Sequence, residues 1–428
     1  MNYFEFGELV FNNILLLVLI TSCVLVVYFP IMKYKNFHIF ALNLETFYNS
    51  MTCMIVFIFL LSINRIDHYY VKYYFLSEIF FLLGFCYKGK SLNSIIKENT
   101  KEKAELKSYD FYFYLFICFM YFAPTILIYK VKGIPILLDS RFETSLNGGG
   151  FGLFTRFTDF SSWLVIYFSF FIKKYSENKK YRFLAKINLG ISVIILLLSG
   201  SRSALLHLFK ILFIIYYSIQ GYQPKEIVIY KKKTWNYIPL ILISGLSLFF
   251  LRYKQQFIMQ FLFRVICQGD SIFLAFPNQK IELLQSYSLG ELLFTNLLVT
   301  FRLKPSSETV NVIGMELIKI VYGHYNDGGA VCIQNVEGYV HFREFGFIFS
   351  FFVGLVVNYI TKRVYKLYKS KLLFIMNFSI CYMAVCLSYN FGVAIGYVTT
   401  CLLNFPIYIV VYYLLKYAKM PKNVVCKI

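Results

Sequence analysis

The chain has 428 residues, 58% of them hydrophobic and only 15% charged, with a formal net charge of +21 and a mean hydropathy of +0.61. A soluble domain carries about 25% charged residues, so this composition excludes a soluble globular protein. The basic excess does not mark a nucleic-acid binder either, because it gathers in short segments between apolar blocks, as the positive-inside rule expects of cytoplasmic loops.

The apolar blocks have the ~17–25 residues needed to cross a hydrocarbon core. The first, Val10 to Phe29, is followed by Lys33 and Lys35. Met1 to Glu8 holds two acids and no base, the reverse of a cleavable signal peptide. The second block runs from Ile39 to Leu61 and the third from Tyr70 to Tyr87, with Arg65, Asp67 and Lys72 near the junction. Lys88 to Asp110 mixes acids and bases at helical spacing, which suggests a solvated cytoplasmic helix. A fourth block, Phe111 to Tyr129, leads into the loop Lys130 to Gly152.

The fifth block, Leu153 to Ile172, ends at Lys173, Lys174, Lys179, Lys180 and Arg182. Leu184–Leu198 and Ala204–Tyr217 form a hairpin around Ser199-Gly-Ser-Arg-Ser. Lys225 and the run Lys231 to Lys233 precede the eighth block, Trp235 to Leu251. A long segment, Arg252 to Phe342, separates it from the ninth, Phe345 to Ile360. Two last blocks, Leu372–Leu387 and Val393–Leu415, precede a basic tail.

The inner loops then hold about 26 Lys and Arg against about 15 in the outer segments, which fixes orientation. The expectation is an all-α, polytopic integral membrane protein, a single transmembrane domain over residues 1–428, with about eleven transmembrane helices. Its amino terminus is outside, its carboxyl terminus cytoplasmic, and 252–342 forms one large extracytoplasmic loop. A structureless loop of that length is uncommon. Ile281–Leu298 and Val310–Val321 have helical amphipathic character, so the loop is expected to fold back onto the bundle mouth.

The ten cysteines include no C-x-x-C pair, and no metal site is expected. Cys267 and Cys332 in the outer loop suit either a disulfide or two free thiols. There is no G-x-x-x-x-G-K-[ST], H-E-x-x-H or G-x-S-x-G, which argues against direct ATP hydrolysis, a metalloprotease and an α/β-hydrolase.

The outer face concentrates arginine: Arg141, Arg156, Arg202, Arg252, Arg264, Arg302 and Arg343. A guanidinium is always charged and its planar fork suits phosphate; each of these also suits a headgroup anchor or a local ion pair. Arg202 stands out in Leu198-Ser-Gly-Ser-Arg-Ser-Ala-Leu-Leu, where Gly200 permits a tight turn and Ser201 suits a helix cap whose open N–H groups favour an anion. In 130–152, Gly133-Ile-Pro-Ile-Leu-Leu-Asp-Ser-Arg is followed by Gly148-Gly-Gly-Phe-Gly, ending at Gly152. Arg156 and Asp159 stand three apart at the head of the next helix and suit a simple pair. In the long segment, His324 lies in Tyr322-Gly-His-Tyr-Asn-Asp-Gly-Gly, with Glu337 and His341 beyond; an imidazole or carboxylate here suits a general base on a sugar hydroxyl, or an incidental turn. Glu45, Glu78, His207 and Lys210 fall in or near the ends of spans, where an ionisable group is a functional suspect by default; Glu45 and Lys210 suit snorkelling or interior contacts as well.

The chain resembles the oligosaccharide repeat-unit polymerases, the Wzy-type O-antigen and capsule polymerases. The resemblance rests on Leu-Leu-Ser-Gly-Ser-Arg-Ser-Ala-Leu between two spans, similar to a G-S-R-[GS]-A hairpin, and on the Gly-Ile-Pro loop with Arg141 and Gly152 an Arg, ten residues, Gly apart. It rests also on Glu337-Gly-Tyr-Val-His-Phe-Arg-Glu-Phe-Gly-Phe at the entry to a span, where the family's Gly-Glu order is not kept. The resemblance implies a GT-C-like helical bundle in the bacterial inner membrane, active on its extracytoplasmic face. It implies transfer of a growing glycan from undecaprenyl diphosphate to the next lipid-linked oligosaccharide, without metal, nucleotide or other cofactor. Arg202, Arg141 and His324 would then be catalytic. Arg156, Arg252, Arg264, Arg302, Arg343 and Gly152 would bind substrate. Membrane lipid and a chain-length regulator protein would be partners, and nucleic acid would not. An O-antigen ligase, or a flippase of lipid-linked oligosaccharide, is the alternative.

Overall fold

The structure, a computed structural model, describes residues 1–35, 41–87, 106–138, 152–199, 208, 211–212, 269–284, 289–305, 308, 310–324, 329–365 and 370–418. These residues are all-helical: α1 (Tyr3–Asn12), α2 (Ile14–Lys35), α3 (Ala41–Ser62), α4 (Tyr69–Cys86), α5 (Ser108–Lys132), α6 (Gly152–Tyr175) and α7 (Lys179–Leu198), then α8 (Asp270–Ala275), α9 (Leu289–Thr300), α10 (Ile313–Tyr322), α11 (Gln334–Phe342), α12 (Gly346–Thr361), α13 (Lys371–Tyr389) and α14 (Phe391–Tyr417).

Seven helical stretches among the described residues are long and apolar enough to cross a membrane: 14–31, 45–62, 108–137, 179–198, 334–361, 371–389 and 391–417. Pro30, Pro124 and Pro406 sit inside such helices, a placement lipid-embedded helices tolerate because neighbouring groups re-satisfy the freed carbonyls. The expected blocks over 70–87 and 153–172 are helical too, as α4 and α6. Those over 204–217 and 235–251 fall almost wholly outside the described residues, as do residues 88–105 of the Lys88–Asp110 stretch.

Most of the described part of 252–342 is helical, with non-helical stretches at 301–305, 310–312 and 329–333. Ile281–Leu283 closes a 3-10 turn begun at Pro277, while α9 and α10 occupy the stretches with amphipathic character. Cys332 is a free, fully buried thiol, and burial pushes it well above its ordinary pKa.

The chain divides into two compact units. One holds residues 1–90, 253–363 and 380–399; the other holds 91–252, 364–379 and 400–428. In the second, polar and aromatic contacts knit α5, α6 and α7. Tyr114 Oη and Ser169 Oγ lie 2.9 Å apart, and Asn188 Nδ2 donates to Tyr114 Oη at 2.8 Å. The Trp163 and Phe378 rings stack at 3.7 Å, and those of Tyr167 and Phe374 at 3.9 Å.

In the first unit α4 and α12 run parallel at backbone contact. Tyr73 meets Gly346, Ser77 Oγ lies 2.7 Å from Ser350 Oγ, Phe81 meets Gly354, and Asn358 Nδ2 donates to the Tyr87 carbonyl at 2.8 Å. Gly346, Ser350 and Gly354 recur every four residues, the small-residue stripe that lets membrane helices approach without side chains between them. A Cβ at Gly84 or Gly354 would collide with the Phe351 or Phe81 carbonyl oxygen. The stacked rings of Phe57 and Tyr74 (3.8 Å) set α3 antiparallel to α4. The ends of α3 and α11 and the starts of α4 and α12 therefore share one face of this unit.

The amino-terminal helix fastens the segment before α9. Tyr3 Oη donates to Asp270 Oδ2 at 2.9 Å, the Val331 amide donates to Asp270 Oδ1 at 3.0 Å, and Phe6 stacks on Phe273 at 4.2 Å.

Candidate functional site

At that shared face lies an open pocket of about 610 Å³, lined by Tyr69, Tyr70, Gln279, Glu282, Tyr339, Arg343, Glu344 and Phe345. Each part comes from a different element for a local reason. Tyr69 and Tyr70 begin α4 just after the Asn64–Asp67 turn, where Asp67 Oδ1 accepts from the Tyr69 amide at 3.0 Å. Glu282 and Gln279 ride on the 3-10 segment Pro277–Leu283, which bends sharply because Asn278 and Gln279 take φ values of 56° and 55°. Tyr339 comes from α11, where it is buried, and Arg343 stands between α11 and α12 at φ 52° and ψ −130°.

Non-glycine residues with positive φ are uncommon, and holding one costs about 1–3 kcal/mol, a strain that clusters at functional sites. Three of the five such residues among the described ones, Asn278, Gln279 and Arg343, lie in or beside this pocket.

Glu282 organises the site. Its Oε1 accepts from Tyr70 Oη at 3.0 Å and from Tyr339 Oη at 2.5 Å, while Oε2 takes Arg343 Nη1 at 2.7 Å. The Arg343 guanidinium also lies 5.6 Å from the centre of the Tyr339 ring. A second carboxylate, Glu344, accepts from Tyr69 Oη at 2.8 Å. Gln279 Nε2 donates to Asp67 Oδ2 at 3.3 Å. The Tyr69 ring and Phe345 are largely exposed, whereas Tyr70 and Tyr339 are buried to within 2%. Flat rings beside carboxylates and an amide can hold the apolar face and the hydroxyls of a polyol together. A carboxylate with an open oxygen can also take a proton from a hydroxyl.

Among the described candidate site residues, only Arg343 lines this pocket, together with Tyr339, Glu344 and Phe345 of the same 337–347 motif. The Arg343 guanidinium faces Glu282 rather than standing ready for a phosphate. Arg302 is exposed at φ 58° just beyond α9, where its amide bonds the Val299 carbonyl and that of Leu303 bonds Leu298, a helix-ending geometry. His324 follows α10, exposed, with Nδ1 3.0 Å from the Tyr322 carbonyl oxygen. Glu337 and His341 are both turned inward, 3.6 Å apart, with side chains 2% and 3% exposed.

Arg156 and Gly152 belong to the other unit. Arg156 has Asp159 as a charge partner, and its carbonyl accepts from Asn404 Nδ2 at 3.4 Å. A Cβ added at Gly152 would meet nothing within 4 Å. Arg141, Arg202, Arg252 and Arg264 lie outside the described residues.

Sequence reasoning passed over Glu282, Glu344 and the three tyrosines. Tyrosine at the head of a span is common at membrane boundaries, and only the fold joins residues 70, 282 and 339. Glu78, a functional suspect by its place in a span, makes interior contacts: Tyr28 Oη donates to its Oε1 at 2.7 Å, Ser50 Oγ donates to the same oxygen, and Asn335 Nδ2 donates to Oε2 at 3.0 Å. It ties α2, α3 and α4 to α11, the helix that presents Tyr339 and ends at Arg343. Comparison with protein-family models, curated proteins and solved structures returns no match for this chain.

Proposed function

We propose that the chain is a membrane glycosyltransferase that polymerises lipid-linked oligosaccharide repeat units, with the Glu282–Arg343 pocket holding part of the glycan. The observation that carries this reading is the lining itself. Three tyrosines, a phenylalanine, two carboxylates, an amide and one guanidinium converge where two parallel helices begin. That chemistry suits a sugar, and its position at a helix boundary suits a substrate anchored in the bilayer.

Charge supports an extracytoplasmic pocket. Lys33 and Lys35 close α2, Lys88 and Lys90 follow α4, and Lys362 and Arg363 follow α12. These helix ends share the face opposite the pocket, and basic ends face the cytoplasm. The reaction uses a donor already activated by its diphosphate, so the protein's share is positioning and fixed electrostatics.

A deletion strain tests the reading. Polymerisation predicts that single repeat units still reach the cell surface while long chains vanish. Accumulation of lipid-linked units on the cytoplasmic leaflet would replace it with a flippase. Polymer that stays on its lipid diphosphate and never joins lipid A would replace it with a ligase.

A further inference from the structure

A pocket that receives lipid-linked glycan has two chemically different things to hold, the diphosphate and the sugars. The lining decides between them. Among the described residues its one cation, Arg343, is matched at 2.7 Å by Glu282, and Glu344 adds a second negative charge with no further cation among the described lining residues. Asp67, bonded to Gln279, adds another acid at the margin. A diphosphate brought here would meet more carboxylate than guanidinium, and displacing Glu282 from Arg343 would leave that carboxylate facing the phosphates. Like charges at contact repel by about 1 kcal/mol in water and several-fold more where the dielectric falls.

A sugar meets no such penalty. Its hydroxyls donate to carboxylates and accept from amide and phenol groups, and its C–H face lies on the exposed ring of Tyr69 or Phe345. The volume of about 610 Å³ falls within the range of small-molecule sites.

We infer that this pocket is the acceptor-sugar subsite and that it selects a neutral or amino-bearing glycan end, excluding uronic acids and the lipid diphosphate. The inference rests on the glycan-transfer reading above. Glu282 fixes the tyrosines and Arg343, and Glu344, bonded to Tyr69 alone among the described residues, is the carboxylate offered to the incoming hydroxyls.

The test uses the full-length protein in phospholipid nanodiscs. Saturation-transfer NMR is recorded with an N-acetylglucosamine trisaccharide, a galacturonic acid trisaccharide, inorganic pyrophosphate, and fragments of the strain's own surface glycan. Neutral or amino-bearing fragments should bind, and Tyr69→Ala with Glu282→Gln should weaken them about tenfold or more. Glu344→Lys should admit the acidic trisaccharide. Pyrophosphate or the acidic trisaccharide competing with neutral fragments in the unaltered protein would overturn the inference, as would binding that the pocket variants leave unchanged, or no glycan binding at all. An acidic sugar at the non-reducing end of the strain's repeat unit would overturn it as well. Chain length in the deletion strain separates the two claims: loss of long chains without sugar binding here sinks only the subsite, and sugar binding with unchanged chains sinks only the polymerase.

Discussion

Two carboxylates in the same unit carry the same wiring in different surroundings. Glu78 accepts two hydroxyls on Oε1, from Tyr28 and Ser50, and an amide nitrogen from Asn335 on Oε2. Glu282 accepts two hydroxyls on Oε1, from Tyr70 and Tyr339, and a guanidinium nitrogen from Arg343 on Oε2. Glu78 is 1% exposed, whereas the Glu282 side chain is 37% exposed and borders an open pocket. Identical hydrogen bonding thus serves two ends. Buried, it clamps four helices; at the surface, beside strained backbone, it fixes the wall of an open pocket.

The comparison breaks in a definite order. The largest effect is expected at the seam beneath both carboxylates, where Gly354→Leu drives a side chain into the Phe81 carbonyl and the Phe85 amide. Overpacking costs about 1–3 kcal/mol and more against rigid backbone, so monodisperse protein in detergent should be lost; a normal yield would refute backbone contact there. Glu78→Leu comes next, because it strands three buried donors at about 1–3 kcal/mol each. It should lower the thermal midpoint far more than Glu78→Gln, and equal midpoints would mean that Glu78 is no clamp.

Glu282→Gln should do the reverse. An exposed ion pair contributes about 1 kcal/mol or less, so stability changes little while chain extension falls about tenfold or more. Arg343→Gly sharpens the contrast further. Glycine tolerates φ 52° without the cost of a Cβ, so the midpoint should stay level or rise while chain extension drops; a fall in both would make Arg343 structural. The smallest effect belongs to His324→Ala, since that ring is exposed and bonded to the backbone two residues before it. Surface glycan length should stay within about twofold of the unaltered protein, and its collapse would restore His324 to the reaction.

Among the described residues the apolar blocks were legible as helices because a span is a run of apolar residues and needs no long-range information. The basic ends of α2, α4 and α12 were legible for the same reason, and the structure adds that those ends share a face. The site was mostly hidden. Arginine could be counted, but whether Arg343 meets a phosphate or a carboxylate depends on Glu282, sixty-one residues away. Positive φ at Gln279 and Arg343 leaves no mark in the sequence, since neither residue type favours it. Glu337 and His341 looked accessible in a loop, yet their helix is packed inward.

The most direct measurement of the central claim is surface glycan length in the deletion strain, complemented with either the unaltered protein or Glu282→Gln at equal membrane levels. The unaltered protein should restore a ladder of long chains, and Glu282→Gln should leave single repeat units with undiminished delivery to the surface. Full-length ladders from Glu282→Gln, or from the uncomplemented strain, would contradict the account.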